Sequence, residues 1–142
     1  MTAGTRRTGG LWAAGGAGNV PGMESDQRSV AFASQVRSVV IDLLVLLADG
    51  DYESVMERCG YSLMDGDELQ AAVADYGRKV VAPPADYAFL RACELKARAV
   101  PTWHVEADLW TEEEGRSDLT LEMTIEFEAS GPVIGINNLH VL

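Results

Sequence analysis

The sequence predicts an α+β domain, with N-terminal helices packed on one face of a four- to five-stranded antiparallel sheet. Three observations lead there. Apolar residues recur at three-four spacing in the first half of the chain, they alternate at spacing two in the second half, and Gly77 with Pro83-Pro84 marks the change of period.

The helical half is read first. Phe32, Val36, Val39, Val40, Leu43, Leu44 and Leu47 form a stripe that predicts a helix from about Asp26 to Ala48, capped by Ser25 or Asp26 and ended at Asp49-Gly50-Asp51. A short helix over Tyr52 to Arg58 follows and stops before Gly60. A third begins at Asp65, where Asp65 and Glu68 stand at capping-box spacing. It turns Leu69, Ala72, Val73 and Tyr76 inward and ends at Gly77.

In the second half, Lys79 to Ala82 reads as a short strand broken by Pro83-Pro84, and Tyr87 to Ala97 as a less regular one. The clearest element is a hairpin between Trp103 and Glu128. Trp103, Val105, Ala107 and Leu109 alternate with His104, Glu106, Asp108 and Trp110. Leu119, Leu121, Met123, Ile125 and Phe127 alternate with Thr120, Glu122, Thr124, Glu126 and Glu128. The polar segment from Glu112 to Ser117 is its turn. Gly131-Pro132 then turns the chain into a final strand, Val133 to Leu142.

The chain has 142 residues and a net charge of −11, unevenly spread. Residues 1–22 carry +2, residues 23–100 carry −5 and residues 101–142 carry −8. So acidic a chain is a poor match for nucleic acid or an anionic membrane, both of which need clustered Lys and Arg. A basic protein or peptide partner would be attracted, and plain solubility accounts for the acidity equally well. The longest apolar stretch, Val39 to Ala48, is interrupted by Asp42 and reads as a soluble helix rather than a membrane span. Residues 1–22 hold seven of the fourteen glycines and have no periodicity, so they are expected to be a disordered extension, with 23–142 a single domain. Cys59 and Cys93 show neither a disulfide framework nor a metal spacing. They read as reduced thiols of a cytoplasmic protein, a single bridge between them being the other reading.

Functional candidates lie on the two faces of the hairpin. The face turned to the helices is apolar from Trp103 to Phe127 and offers no group for acid-base work, which argues against catalysis there. The other face carries His104, Glu106 and Asp108 on one strand and Glu122 and Glu126 on the next. These are possible metal ligands, but side chains two apart on a strand stand roughly 7 Å apart and converge poorly. The face therefore reads as acidic and solvated, with no metal, cofactor or catalytic residue assigned. Arg116 is expected to pair with one of the acids of the turn or Asp118, and Trp110 to anchor an interface or fold over the helix ends.

Pro101-x-Trp103-x-Val105, the run from Leu109-Trp110-Thr111-Glu112-Glu113-Glu114-Gly115-Arg116-Ser117-Asp118 to Leu119-Thr120-Leu121-Glu122, and Leu139-His140-Val141-Leu142 resemble a small actinobacterial domain family of unknown function. With Tyr76-Gly77 and Pro83-Pro84 the resemblance spans roughly residues 30–142 and implies a fold rather than an activity. The order of elements is also similar to cystatin-like folds of the nuclear-transport-factor-2 type.

The expected function is a non-catalytic protein-interaction module, one concrete form of which would be an immunity-type protein that neutralises a basic toxin. Glu106, Asp108, Glu122 and Glu126 would supply charge, with Trp110 and Arg116 beside them. The alternative is a small-molecule binder or enzyme with an apolar pocket between helices and sheet, lined by Trp103, Met123 and Tyr76. The oligomeric state is left open.

Overall fold

A computed structural model describes the backbone of residues 21–142 and the side chains of residues 30–142. All of the glycine-rich extension except residues 21 and 22 lies outside the described residues. The chain divides into two units at Gln35/Val36, inside the first helix, and the sheet and its site belong wholly to the second, Val36–Leu142.

Helix α1 spans Pro21–Ala48, five residues longer at its start than the spacing predicts. Ser25 and Asp26 therefore lie inside the helix and not at its cap, while Pro21 takes the first position, where its missing N–H costs nothing. The stripe Val36, Val40, Leu43, Leu44 and Leu47 is buried. The segment Val30–Ala48 is long and apolar enough to cross a bilayer by length and composition, yet within Val36–Leu142 that stripe serves the core.

Helix α2, Tyr52–Arg58, is capped by Asp51, whose carboxylate accepts from the Ser54 N–H and hydroxyl. Helix α3, Gly66–Tyr76, has the full capping box: Asp65 accepts from the Glu68 N–H at 2.8 Å and Glu68 from the Asp65 N–H at 2.9 Å. Gly77, at φ 76°, takes the left-handed position that closes it.

Among the described residues the sheet contains six strands: β1 Tyr61–Ser62, β2 Val80–Val81, β3 Leu90–Leu95, β4 Thr102–Thr111, β5 Gly115–Glu128 and β6 Gly131–Val141. Their order is β1-β6-β5-β4-β2, with β3 also on β4. Both short segments share one edge of β4: β3 covers Thr102–Ala107 and β2 covers Trp110–Thr111.

The sheet is mixed, not antiparallel throughout, because β1 runs parallel to β6 with Tyr61 opposite Gly135 and Ser62 opposite Ile136. Gly60 N–H donates to the Ile134 carbonyl at 2.8 Å and Leu63 N–H to that of Ile136 at 2.9 Å. A Cβ on Gly135 would fall within 2.3 Å of three ring atoms of Tyr61, so the ring lies over the bare glycine backbone.

The inner face is as expected. Val105, Ala107, Leu109, Leu119, Leu121, Met123, Ile125 and Phe127 are buried, while Trp103 is half-buried. One extra residue of β6, Asn137, bulges between the pairs Glu122–Asn138 and Met123–Ile136. It switches the inward set from Ile134 and Ile136 to Leu139, and its side-chain amide donates to Thr124 at 3.0 Å.

Candidate functional site

The outer face of β3, β4 and β5 is built by register. Arg91 stands opposite Glu106 and Cys93 opposite His104. Glu106 is in turn opposite Glu122, Asp108 opposite Thr120, and Thr102 opposite Glu126. Directly opposed side chains share a face about 5 Å apart, so two carboxylates confront each other at the centre.

Asp108 does not belong to a solvated acidic surface. It is 2% exposed. Its Oδ1 accepts from Arg91 at 2.8 Å and from the Thr120 hydroxyl at 3.0 Å, and its Oδ2 from Arg91 at 3.2 Å and Arg116 at 3.1 Å. Burial pushes its carboxyl up, but hydrogen bonds from Arg91, Thr120 and Arg116 outweigh that and hold it below its ordinary value. Arg116 therefore pairs across the sheet with Asp108 and not with the acids of the turn or Asp118.

A bulge makes this reach possible. Between the pairs Asp108–Thr120 and Trp110–Arg116, β4 has one residue and β5 has three. Two extra residues leave the side-chain alternation unchanged, so Arg116 stays on the face of Asp108. Ser117 fills the bulge, its hydroxyl donating to the Leu109 carbonyl at 2.7 Å.

Beside Asp108 lies an aromatic cluster. Trp110 is half-buried, with its ring centroid 5.8 Å from Phe89 and 6.2 Å from Tyr87. The Arg116 guanidinium sits 5.4 Å from the Phe89 centroid. Tyr87 is buried, and its hydroxyl donates to the carbonyls of Phe89 and Asp108. Arg37 of α1 binds the Tyr87 and Ala85 carbonyls, fixing the segment that leads into β3.

On the other side of Arg91 the face becomes acidic. Arg91 reaches Glu106 at 3.3 Å, while His104 Nε2 lies 3.4 Å from Glu122 Oε2. Ligand atoms of His104, Glu106 and Glu122 all lie within 4.8 Å of one another. The convergence runs across strands, which the spacing along one strand does not reveal. Glu126 is half-buried on the same face, opposite Thr102. His140, opposite Thr120, has a buried Nε2 without a hydrogen-bond partner among the described residues.

The acidic turn is tied down. Glu113 accepts from the Lys79 N–H at 2.9 Å, and the Glu112 N–H donates to the Lys79 carbonyl at 2.8 Å. The Tyr76 hydroxyl donates to Glu114 at 2.8 Å and accepts from the Asp118 N–H at 3.1 Å. Tyr76 thus stands at the tip of the hairpin and not in an interior pocket, whereas Met123 is buried and Trp103 keeps a buried, unpartnered Nε1 among the described residues. Tyr76→Phe removes both bonds at an exposed site and is expected to cost about 1 kcal/mol in urea denaturation. Both cysteines are free, and burial pushes the Cys59 thiol up to about 11, the setting of an inert thiol.

No curated protein and no solved structure gives a significant match to the chain. Residues 44–142, from the last turns of α1 to the end of the sheet, match the family described as Domain of unknown function (DUF7668), and the chain belongs to that family.

Proposed function

We propose that the domain is a non-catalytic interaction module that docks a basic protein on the outer face of β4 and β5. The observation that carries this reading is the pairing of charge with aromatic surface. Glu106 and Glu122 confront each other at 30% and 27% side-chain exposure with Glu126 further along, and the face is bounded by Trp110 and by Phe89, 41% exposed. Opposed carboxylates repel unless a cation comes between them, and an aromatic rim supplies the anchor that charge alone lacks.

Asp108 plays the part of a scaffold in this reading. It orders Arg91 and Arg116 beneath the rim, while Glu106, Glu122 and Glu126 meet the partner. The immunity-type form, in which the partner is a basic toxin, suits a small acidic domain of this kind. The free thiols suit the cytoplasm as its place of work.

The test is a capture experiment in chelator-treated lysate, with the full chain as bait beside a Glu106→Lys, Glu122→Lys, Glu126→Lys variant. The expected result is a basic protein retained by the first bait, released by salt and absent from the second. Equal retention by both baits, or no basic protein on either, overturns the proposal.

A further inference from the structure

We infer that His104, Glu106 and Glu122 form a binding site for a divalent transition-metal ion of the zinc type. This does not rest on protein docking at the same face. It stands on a different observation: one imidazole and two carboxylates from adjacent strands, with their ligand atoms already within 4.8 Å of one another. An imidazole nitrogen with carboxylate oxygens is a donor set that zinc accepts, at metal–ligand distances of about 2.0–2.2 Å. Tetrahedral placement at those distances separates neighbouring donors by about 3.4 Å. The remaining gap is at most about 1.4 Å, and it falls on partly exposed side chains.

The charges around the site favour a cation at that point. Arg116 and Arg91 both bind Asp108, and Arg91 also reaches Oε1 of Glu106. That set of two guanidiniums and two carboxylates balances itself. Glu122 is left over, with His104 beside it at 3.4 Å. Glu106 keeps its second oxygen for the ion, since Arg91 is bonded to Oε1. The three ligands are 32%, 30% and 27% exposed, so the site is screened by less water than an open surface but remains reachable. Three protein ligands leave a fourth position facing solvent.

Cys93 is the competitor that must be separated, because it stands opposite His104 on β3 and is exposed. The experiment is calorimetric titration of zinc chloride into the chelator-stripped full chain, with His104→Ala, Glu106→Gln, Glu122→Gln and Cys93→Ser measured alongside. Far-ultraviolet circular dichroism and thermal melting without metal establish that each variant folds. One zinc per chain is expected. Its affinity should fall more than about tenfold in each of the first three variants, the loss that even outer-shell partners of a metal bring, and stay unchanged in Cys93→Ser. The imidazole ¹⁵N resonances of His104 in the wild type give a second readout and should shift on zinc addition. No zinc bound by the wild type overturns the site. So does binding that survives Glu106→Gln and Glu122→Gln, or binding lost in Cys93→Ser.

Discussion

Asp108→Ala is expected to lower stability by about 3 kcal/mol, the low end of the range for removing one partner of a buried ion pair. The carboxylate is 2% exposed and accepts from Arg91, Arg116 and Thr120. Its removal strands two guanidiniums that it had oriented. The cost stays at the low end because both guanidiniums are about half exposed and rehydrate, and Arg91 retains Glu106. Asp108→Asn keeps the shape and part of the bonding, so it should cost about 1–2 kcal/mol.

The pH dependence separates charge from packing. The folded carboxyl lies below its ordinary value, so its contribution is complete above about pH 4 and is lost as pH falls through the folded value. Urea denaturation of wild type and Asp108→Ala at a series of pH values should show two curves that converge on acidification. Curves that stay parallel would mean that the loss is one of packing alone.

Leu121→Ala is expected to cost about 3–4 kcal/mol and to lower the melting temperature by about 10 °C. Leu121 is fully buried at the middle of β5, between Ala107 of β4 and Leu139 of β6. Three hydrogen-bonded strands hold the backbone there, and Ala107 has no side chain long enough to fill the space. The cavity therefore stays open, and the cost falls in the middle of the Leu→Ala range and not at its lower end. A loss below about 1.5 kcal/mol would show that the helices collapse onto the sheet and that this core is less rigid than its register implies.

Both effects lie on β4 and β5, where sequence and structure agree best and also where they part. The alternation from Trp103 to Phe127 assigns each side chain to a face because strand period is a local property. Depth within a face is not local. Asp108 and Glu106 are two apart on one strand and share a face, yet Asp108 is buried and Glu106 is half-exposed. The difference comes from Arg91 on β3, Arg116 beyond a two-residue bulge and the aromatic cluster at residues 87–110, none of which alternation encodes.

The Asn137 bulge left a readable trace. Ile134 and Ile136 alternate in one phase and Leu139 in the other, and a change of phase at Asn137-Asn138 is what a one-residue insertion in a strand produces. Strand β1 left none, for Tyr61-Ser62 is too short to alternate, and its partner lies in the last strand of the sheet. The helix caps at Asp65 and Gly77 were legible because capping chemistry is contained within four residues. The start of α1 was not, since Pro21 is a first-turn residue but Ser25 and Asp26 offer an equally suitable cap four and five residues further on.

The parallel pairing of β1 with β6 carries a consequence for synthesis. Ser62 and Ile136 are 74 positions apart in the chain. At about 5–20 residues per second, a ribosome needs roughly 4–15 s to travel from one to the other. Throughout that interval Gly60 and Leu63 have no carbonyl of β6 to receive their N–H groups, and the apolar stripe of α1 has no finished sheet to cover it. The nascent chain therefore emerges helices first and waits for the strand that completes its core, and a chaperone meeting it in those seconds would find Val36, Val40, Leu43, Leu44 and Leu47 still in water.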